Sequence, residues 1–200
     1  MKATSPNAPT APIIVFADLN CPFCYALSET LDKQNLMMHT YWMLIEHAPT
    51  TTTPWTPAGP VLHQTLKSEV ETVQTRCPGL QVCIPTGQPN TSLPILAVAD
   101  AYRRSVKVGL DLKLRLQRAL FVDNQDIGSR YVVNRIRGIL GLGPLELNPE
   151  LKTTCEEWQK RWATVPKKMI PTMLTRSGEY RYGLGDPEDA ANFVRANLAR

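Results

Sequence analysis

An uninterrupted run of β-forming residues, Ile13–Asp18, ends three residues before the tetrapeptide Cys21-Pro22-Phe23-Cys24. No other junction in the chain constrains its folding as tightly. A run without polar alternation is what a strand covered on both faces requires. Pro22 then stands where a first helical residue belongs, its φ already near the helical value and with no N–H to leave unpaired. Cys24, Leu27 and Leu31 follow on one helical face, which predicts a helix over Pro22–Gln34. Thr40–Ile45 is rich in aromatic and β-branched residues and reads as a second strand, parallel to the first because a helix separates the two. The chain therefore opens on a βαβ unit, with both cysteines where strand gives way to helix.

The remainder is punctuated clearly. Ala48–Pro60 holds four prolines and a run of threonines, a composition expected to form a loop without a regular element, and Cys77–Asn90 is a second irregular stretch of the same kind. Helical patterns cover Val61–Thr75, Leu93–Val106 opened by Ser92, Leu110–Phe121, and Tyr131–Leu140 opened by Ser129. Asn148-Pro149-Glu150 is an N-cap followed by proline, and Leu151, Cys155, Trp158 and Trp162 recur at helical spacing, a stripe facing a core. After Pro166, Thr172–Thr175 and Tyr180–Tyr182 are strand-like runs joined through Ser177-Gly178. Asp186-Pro187-Glu188-Asp189 caps a last helix whose expected buried face is Ala190, Phe193, Val194 and Leu198. The expected fold class is α/β: a sheet domain from residues 12–60 and 166–199, interrupted by a helical insertion over residues 61–165.

Composition narrows the function classes. With 200 residues, 43% of them hydrophobic, the chain can bury a core without staples. Its net charge of +4 is carried by scattered Lys and Arg, which lends nucleic acid no support as a partner. No stretch approaches the roughly 18 apolar residues of a membrane span. Met1–Pro12 carries one charged residue, Lys2, and the apolar run after it is too short for a secretory signal. Five unevenly spaced cysteines are a poor fit to a secreted disulfide scaffold and a better one to reactive thiols in a reducing compartment. The expected location is cytoplasmic.

In disulfide exchange the nucleophile is a thiolate, so one sulfur must be exposed and held where negative charge is favoured. A helix N-terminus supplies about 0.3–2 kcal/mol toward that. Cys21, at the expected N-cap, is the candidate attacking residue. Cys24, one turn deeper on the same side, is close enough to form a disulfide back to Cys21 and release a bound partner. Two cysteines at this spacing also suit half of a zinc site, which needs a second ligand pair. Cys77 and Cys83 are six apart in a loop, and His39, His47 and His63 show no ligand spacing to either pair, so redox chemistry is the favoured reading.

The stretch from Ala17 to Tyr25, Ala-Asp-Leu-Asn-Cys-Pro-Phe-Cys-Tyr, resembles the active-site strand and helix start of the DsbA-like thioredoxin family. Met169-Ile170-Pro171-Thr172-Met173-Leu174, followed by Gly178-Glu179, is similar to that family's cis-proline loop. The helical block between the two motifs also matches, so the resemblance covers about residues 12–199. It implies that Pro171 is cis and keeps metal from capping the thiols, and that the Ile170 backbone pairs with a substrate chain. It also implies that the Pro22-Phe23 dipeptide tunes the couple. Phe23 carries no charge, so a potential less oxidising than that of the His-bearing members is expected. The chain departs from the pattern twice. Many thioredoxin-like enzymes carry a buried acid six residues before the first cysteine, where this chain has Val15. Asp18 instead resembles the cytoplasmic branch, similar to 2-hydroxychromene-2-carboxylate isomerases and kappa-class glutathione transferases, which typically have serine at the position of Cys21. Asp18 is equally readable as a strand-end residue bonding the helix start.

The expectation is a protein disulfide oxidoreductase needing no metal or organic cofactor. Cys21 attacks, Cys24 resolves, and Pro22, Phe23, Ile170 and Pro171 contact protein or peptide thiols and disulfides. Two alternatives remain: a glutathione-dependent isomerase or transferase, and a client-binding protein whose thiols are incidental. Cys77 and Cys83 could close a second disulfide of roughly 2–2.5 kcal/mol. Cys155 is expected as a small core hydrophobe, and the histidines receive no role.

Overall fold

The computed structural model describes residues 13–47 and 54–198. The reading of Met1–Pro12 and that of residues 48–53 of the Ala48–Pro60 loop therefore lie outside the described residues. Strand β1, Ile13–Ala17, is one of the two inner strands of the main sheet. Its Ile13, Val15, Phe16 and Ala17 side chains are fully buried, each of the larger ones contributing about 1.5–3 kcal/mol of apolar burial. Helix α1, Pro22–Lys33, returns the chain to β2, Thr40–Leu44, which pairs parallel to β1. Strands β5, Thr172–Thr175, and β6, Tyr180–Tyr182, complete a sheet in the order β2-β1-β5-β6, both joined antiparallel. The β5–β6 turn uses Gly178 at φ +89°, a left-handed position that glycine fills without a Cβ clash.

Five helices connect β2 to β5: α2 over Pro60–Arg76, α3 over Ser92–Arg104, α4 over Val106–Phe121, α5 over Arg130–Ile139 and α6 over Pro149–Ala163. Helix α7, Pro187–Ala196, closes the described chain. Helix α1 is packed by α4, α7 and α2, while α3 lies against α4 and α6, and α6 against β2. Aromatic contacts tie these layers together. Phe16 of β1 meets Trp162 of α6 at 5.6 Å, and Tyr25 of α1 stacks on Phe121 of α4 at 5.2 Å. Gly109 lets α4 approach α3, since a Cβ there would come within 2.4 Å of the Tyr102 ring.

The sequence expectations are corrected in four places. The proline-rich loops do hold a regular element: β3, Trp55–Pro57, pairs antiparallel with β4, Gly87–Pro89. A two-stranded ribbon leaves one side of each strand without a ladder, so prolines fit at its ends. Helix α4 starts at Val106 and not at Leu110, because Ser105 ends α3 and caps α4, its hydroxyl accepting from Val108 N at 3.1 Å. On α7, Ala190, Ala191 and Val194 are buried, Phe193 is half-buried and Leu198 is exposed, since the helix ends at Ala196 and carries Leu198 off that face. Cys155 is also only half-buried on a stripe whose Leu151, Trp158 and Trp162 are buried.

Candidate active site

Cys21 is the N-cap of α1, with extended backbone at φ −95° and ψ 117°, and its Sγ accepts from the Cys24 N–H at 3.4 Å. A sulfur thus takes the place usually held by a capping oxygen. The two cysteines approach each other to 3.2 Å and are free thiols. They differ in access: Cys21 is part-exposed, whereas Cys24 is fully buried. Burial pushes the Cys24 thiol well above its ordinary range, reinforced by its hydrogen bond to Cys21 and by Cys21's charge. The inner sulfur therefore holds its proton until something removes it.

The register of the sheet brings the second motif here. Phe16 lies opposite Thr172, so the antiparallel pairing carries Pro171 and Ile170 past the end of β1, beside the turn that leads into Cys21. The Ile170–Pro171 bond is cis. Pro171 is buried, its carbonyl accepts from Gly183 N at 2.7 Å, and Ile170 is 9% exposed. Met169, just before them, is more open at 38%. On the α1 side Pro22 is buried and Phe23 half-buried, with the Arg76 guanidinium 5.8 Å from the Phe23 ring centroid. Arg76 and Cys77 line a groove of about 1120 Å³ that runs along α1 past Tyr25 and Glu29 to Asp186.

Asp18 directly follows β1, at the strand end, and lies in the interior. It is fully buried, its Oδ2 accepts from His47 N at 2.8 Å, and Oδ1 has no hydrogen-bond partner among the described residues. Burial raises its pKa to about 6, against the lowering effect of nearby donors. Its charge raises the pKa of Cys24 further, while its backbone N–H favours the Cys24 thiolate. His47 enters this region through its backbone, and burial lowers the pKa of its ring.

One group escaped the sequence reading. Lys113 of α4 is fully buried, and its Nζ donates to Ser28 Oγ and lies 3.2 Å from the Trp42 ring centroid. Ser28 Oγ is 2.7 Å from both Cys24 O and Gln117 Oε1. The signal was present, because Lys113 and Gln117 share a helical stripe with the buried Leu110, Leu120 and Phe121. Two polar residues on an apolar stripe mark either a wet surface or an interior polar network, and periodicity does not distinguish them.

Cys77 and Cys83 are free thiols, part-buried, with burial raising both pKa values. Burial raises Cys155 to about 12. Among the described residues no cluster of three or more His, Cys, Asp or Glu side chains is placed to hold a metal ion. None of their helices is long and apolar enough to cross a membrane.

No protein-family model and no curated protein matches the sequence. Solved structures do match in shape. A candidate protein disulfide isomerase from Nitrosomonas europaea is 16% identical with a TM-score of 0.72, over 94% of this chain and 96% of that one. The cytosolic disulfide reductase DsbM from Pseudomonas aeruginosa, solved with GSH, is 19% identical with a TM-score of 0.68, over 94% and 99%. A 2-hydroxychromene-2-carboxylate isomerase is 14% identical with a TM-score of 0.61, over 94% and 96%. The same fold thus carries disulfide isomerase, disulfide reductase and 2-hydroxychromene-2-carboxylate isomerase names among these structures. This chain has the α/β fold of the DsbA-like thioredoxin-fold proteins, with Cys21 and Cys24 at the start of its first helix.

Proposed function

We propose that the chain is a thiol-disulfide oxidoreductase working through its Cys21-Pro22-Phe23-Cys24 dithiol. The observation that carries this reading is the pairing of a part-exposed Cys21 at the α1 N-cap with a fully buried Cys24 held against it. The Cys21 thiolate attacks one sulfur of a substrate disulfide, the substrate S–S bond breaks, and the other substrate sulfur leaves as a thiolate that takes a proton from water. Cys24 then loses its proton and attacks Cys21 Sγ. The mixed disulfide breaks, the second substrate sulfur leaves as a thiol, and two electrons have passed to the substrate. Run backwards, the same steps oxidise a dithiol.

Asp18 is the proposed acceptor of the Cys24 proton. An ionised carboxylate with one unpartnered oxygen, whose pKa of about 6 lies below neutral pH, suits that task. It does from Asp18 what an acid at the position of Val15 does in other thioredoxin-like enzymes. Pro22, Phe23, Ile170 and Pro171 form the proposed substrate contact, with the Ile170 backbone pairing to an extended peptide. Glutathione is the proposed low-molecular-weight co-substrate, supported by the capture of DsbM with GSH, and DsbM's cytosolic origin supports a cytosolic site of action.

The test is a redox titration in glutathione buffers, with the mixed and intramolecular disulfides read by mass. A reversible two-electron couple, with a trapped Cys21 adduct in Cys24→Ser, is the expected result. A pair that binds glutathione tightly and does not cycle would transfer the assignment to a glutathione-dependent isomerase or transferase.

A further inference from the structure

Phe23 stands between the two cysteines on the rim of the α1 start, part-exposed like Cys21, and a cation from another element sits over its ring. Arg76, the last residue of α2, is exposed and holds its guanidinium 5.8 Å from the Phe23 ring centroid. Two effects keep it there: the ring quadrupole attracts the cation, and the carbonyl end of α2 favours positive charge. Neither uses an N–H. A guanidinium presents five N–H donors in a planar fork that matches a carboxylate, and among the described residues that of Arg76 has no ion pair and no side-chain hydrogen bond. Other arginines of this region are engaged: Arg118 by Glu29 and Asp32 at 2.6 and 3.2 Å, Arg195 by Glu188 at 2.7 Å, and Arg181 by the carbonyls of Gly183, Leu184 and Asp186.

The groove that begins at Arg76 is lined by carboxylates, and these already have work of their own. Glu29 and Asp32 face Arg118, Glu188 faces Arg195, and Asp186 spends Oδ1 on the backbone N–H groups of Glu188 and Asp189 as the cap of α7. Asp123, the fifth, follows the end of α4 and forms no ion pair with Arg76. Together they disfavour a second anion deeper in the groove. Lys33, the groove's remaining cation beside Arg76 and Arg118, lies about 15 Å beyond Phe23 along α1. An anionic group arriving at the dithiol therefore has one open cation to meet, and it stands on the ring next to Cys21.

We propose that Arg76 is a specificity-determining residue of the dithiol: it selects substrates that carry a carboxylate beside the reacting sulfur. The inference rests on the oxidoreductase reading and adds the chemical class of its substrate. Glutathione and a client segment with an acidic residue next to its cysteine both offer that group. When Cys21 Sγ bonds to one substrate sulfur, the substrate S–S bond breaks and the other sulfur leaves as a thiolate that takes a proton from water. The carboxylate is unchanged by the exchange, and the Arg76 fork donates to it in the mixed disulfide. Phe23 supplies the floor on which the fork rests, so the charge missing from the tetrapeptide itself comes from α2 and acts on the substrate.

The test follows the first attack by Cys21 in the full chain with Cys24→Ser, reading the mixed disulfide by mass. Rates are measured with dithiodipropionate, which carries carboxylates, and with bis(hydroxyethyl) disulfide, which carries none. The anionic-to-neutral rate ratio is expected to fall about fivefold in Arg76→Gln, the scale of an exposed ion pair. Arg76→Lys, which keeps the charge and loses the fork, should recover part of it, and Arg76→Glu should turn the preference toward cystamine, whose groups are ammonium. Should Arg76→Gln not fold, the ratio is read in Arg76→Lys. A ratio indifferent to residue 76 overturns the inference, and so does an equal loss with both disulfides, which would give Arg76 a structural part alone. The same comparison with oxidised glutathione, and with peptide disulfides bearing Glu or Gln next to cysteine, names the source of the carboxylate by where the loss falls. If Cys21 attacks neither small disulfide, the oxidoreductase reading falls and this inference with it. Attack on both at a ratio that ignores Arg76 defeats the inference alone.

Discussion

The chain carries two cysteine pairs in very different settings. Cys21 and Cys24 straddle the start of α1, where one sulfur caps the helix and the other is buried one turn later. Cys77 and Cys83 flank an irregular segment after α2. Cys77 ends that helix, its N–H bonded to Val73 O at 2.8 Å, and Cys83 is tied to the end of α4 through Phe121 O at 2.6 Å. Both thiols of the second pair have pKa values raised by burial, and neither stands at a helix N-terminus. The contrast shows that sequence proximity of two cysteines matters less than the backbone between them. A helical turn with a proline at its first position sets a geometry for exchange, whereas an irregular segment anchored at both ends to different helices sets none.

The largest expected effect comes from removing the nucleophile. Cys21→Ser should lower disulfide exchange by at least about 10³-fold, the scale on which loss of a covalent nucleophile is read, while Cys77→Ser with Cys83→Ser should leave the rate within about twofold. Stopped-flow reduction of a fluorescent peptide disulfide measures both, and a large loss in the second variant would collapse the distinction between the pairs.

Asp18→Asn comes next. Removing the proposed proton acceptor should slow release of substrate from the Cys21 mixed disulfide about 10²-fold near neutral pH, leaving the first attack by Cys21 unchanged. Single-turnover kinetics separate the two steps, and equal slowing of both would assign Asp18 a purely structural part. The same substitution has a stability signature. The folded pKa of Asp18, about 6, exceeds the 3.8 of an aspartate in water. The stabilisation from this group is therefore fully present below pH 3.8 and is lost as pH rises through about 6. With the carboxyl completely buried, a shift of that size corresponds to roughly 3 kcal/mol. Asp18→Asn should accordingly gain stability relative to the parent between pH 4 and pH 7 by an amount of that order, read from urea midpoints across the pH range. A pH-independent difference would remove the raised pKa.

The smallest effect concerns the tuning of the first pair. Phe23 supplies no charge beside Cys21, so the couple should lie below the roughly −120 mV of the strongest oxidants. Phe23→His should raise it by a few tens of millivolts, about 30 mV for each 1.4 kcal/mol of added thiolate stabilisation. An unchanged potential would place the tuning elsewhere in the site.

The α/β class, β1, α1, the parallel β2 and the β5–β6 hairpin were readable because each announces itself locally: an apolar run, a helical stripe opened by proline, a Ser-Gly turn. The same holds for Cys21 as N-cap and Cys24 as the residue one turn inward, since helical geometry alone relates them. Where local signals competed, the structure decided. Ser105 divides α3 from α4 because its hydroxyl caps the second helix, and β3 exists only because β4 lies beside it.

The amino-acid sequence by itself determined where the dithiol stands and which neighbour caps it, because both follow from a few adjacent residues and the geometry of a helix start. The interior charge around that dithiol was decided by tertiary structure. Asp18 reads as a strand end, and nothing local marks Lys113 as buried, until β1 is covered on both faces and α4 closes over α1, which removes both groups from water. Burial is a property of the whole packing arrangement, and it raises the pKa of the carboxyl and lowers that of the amine.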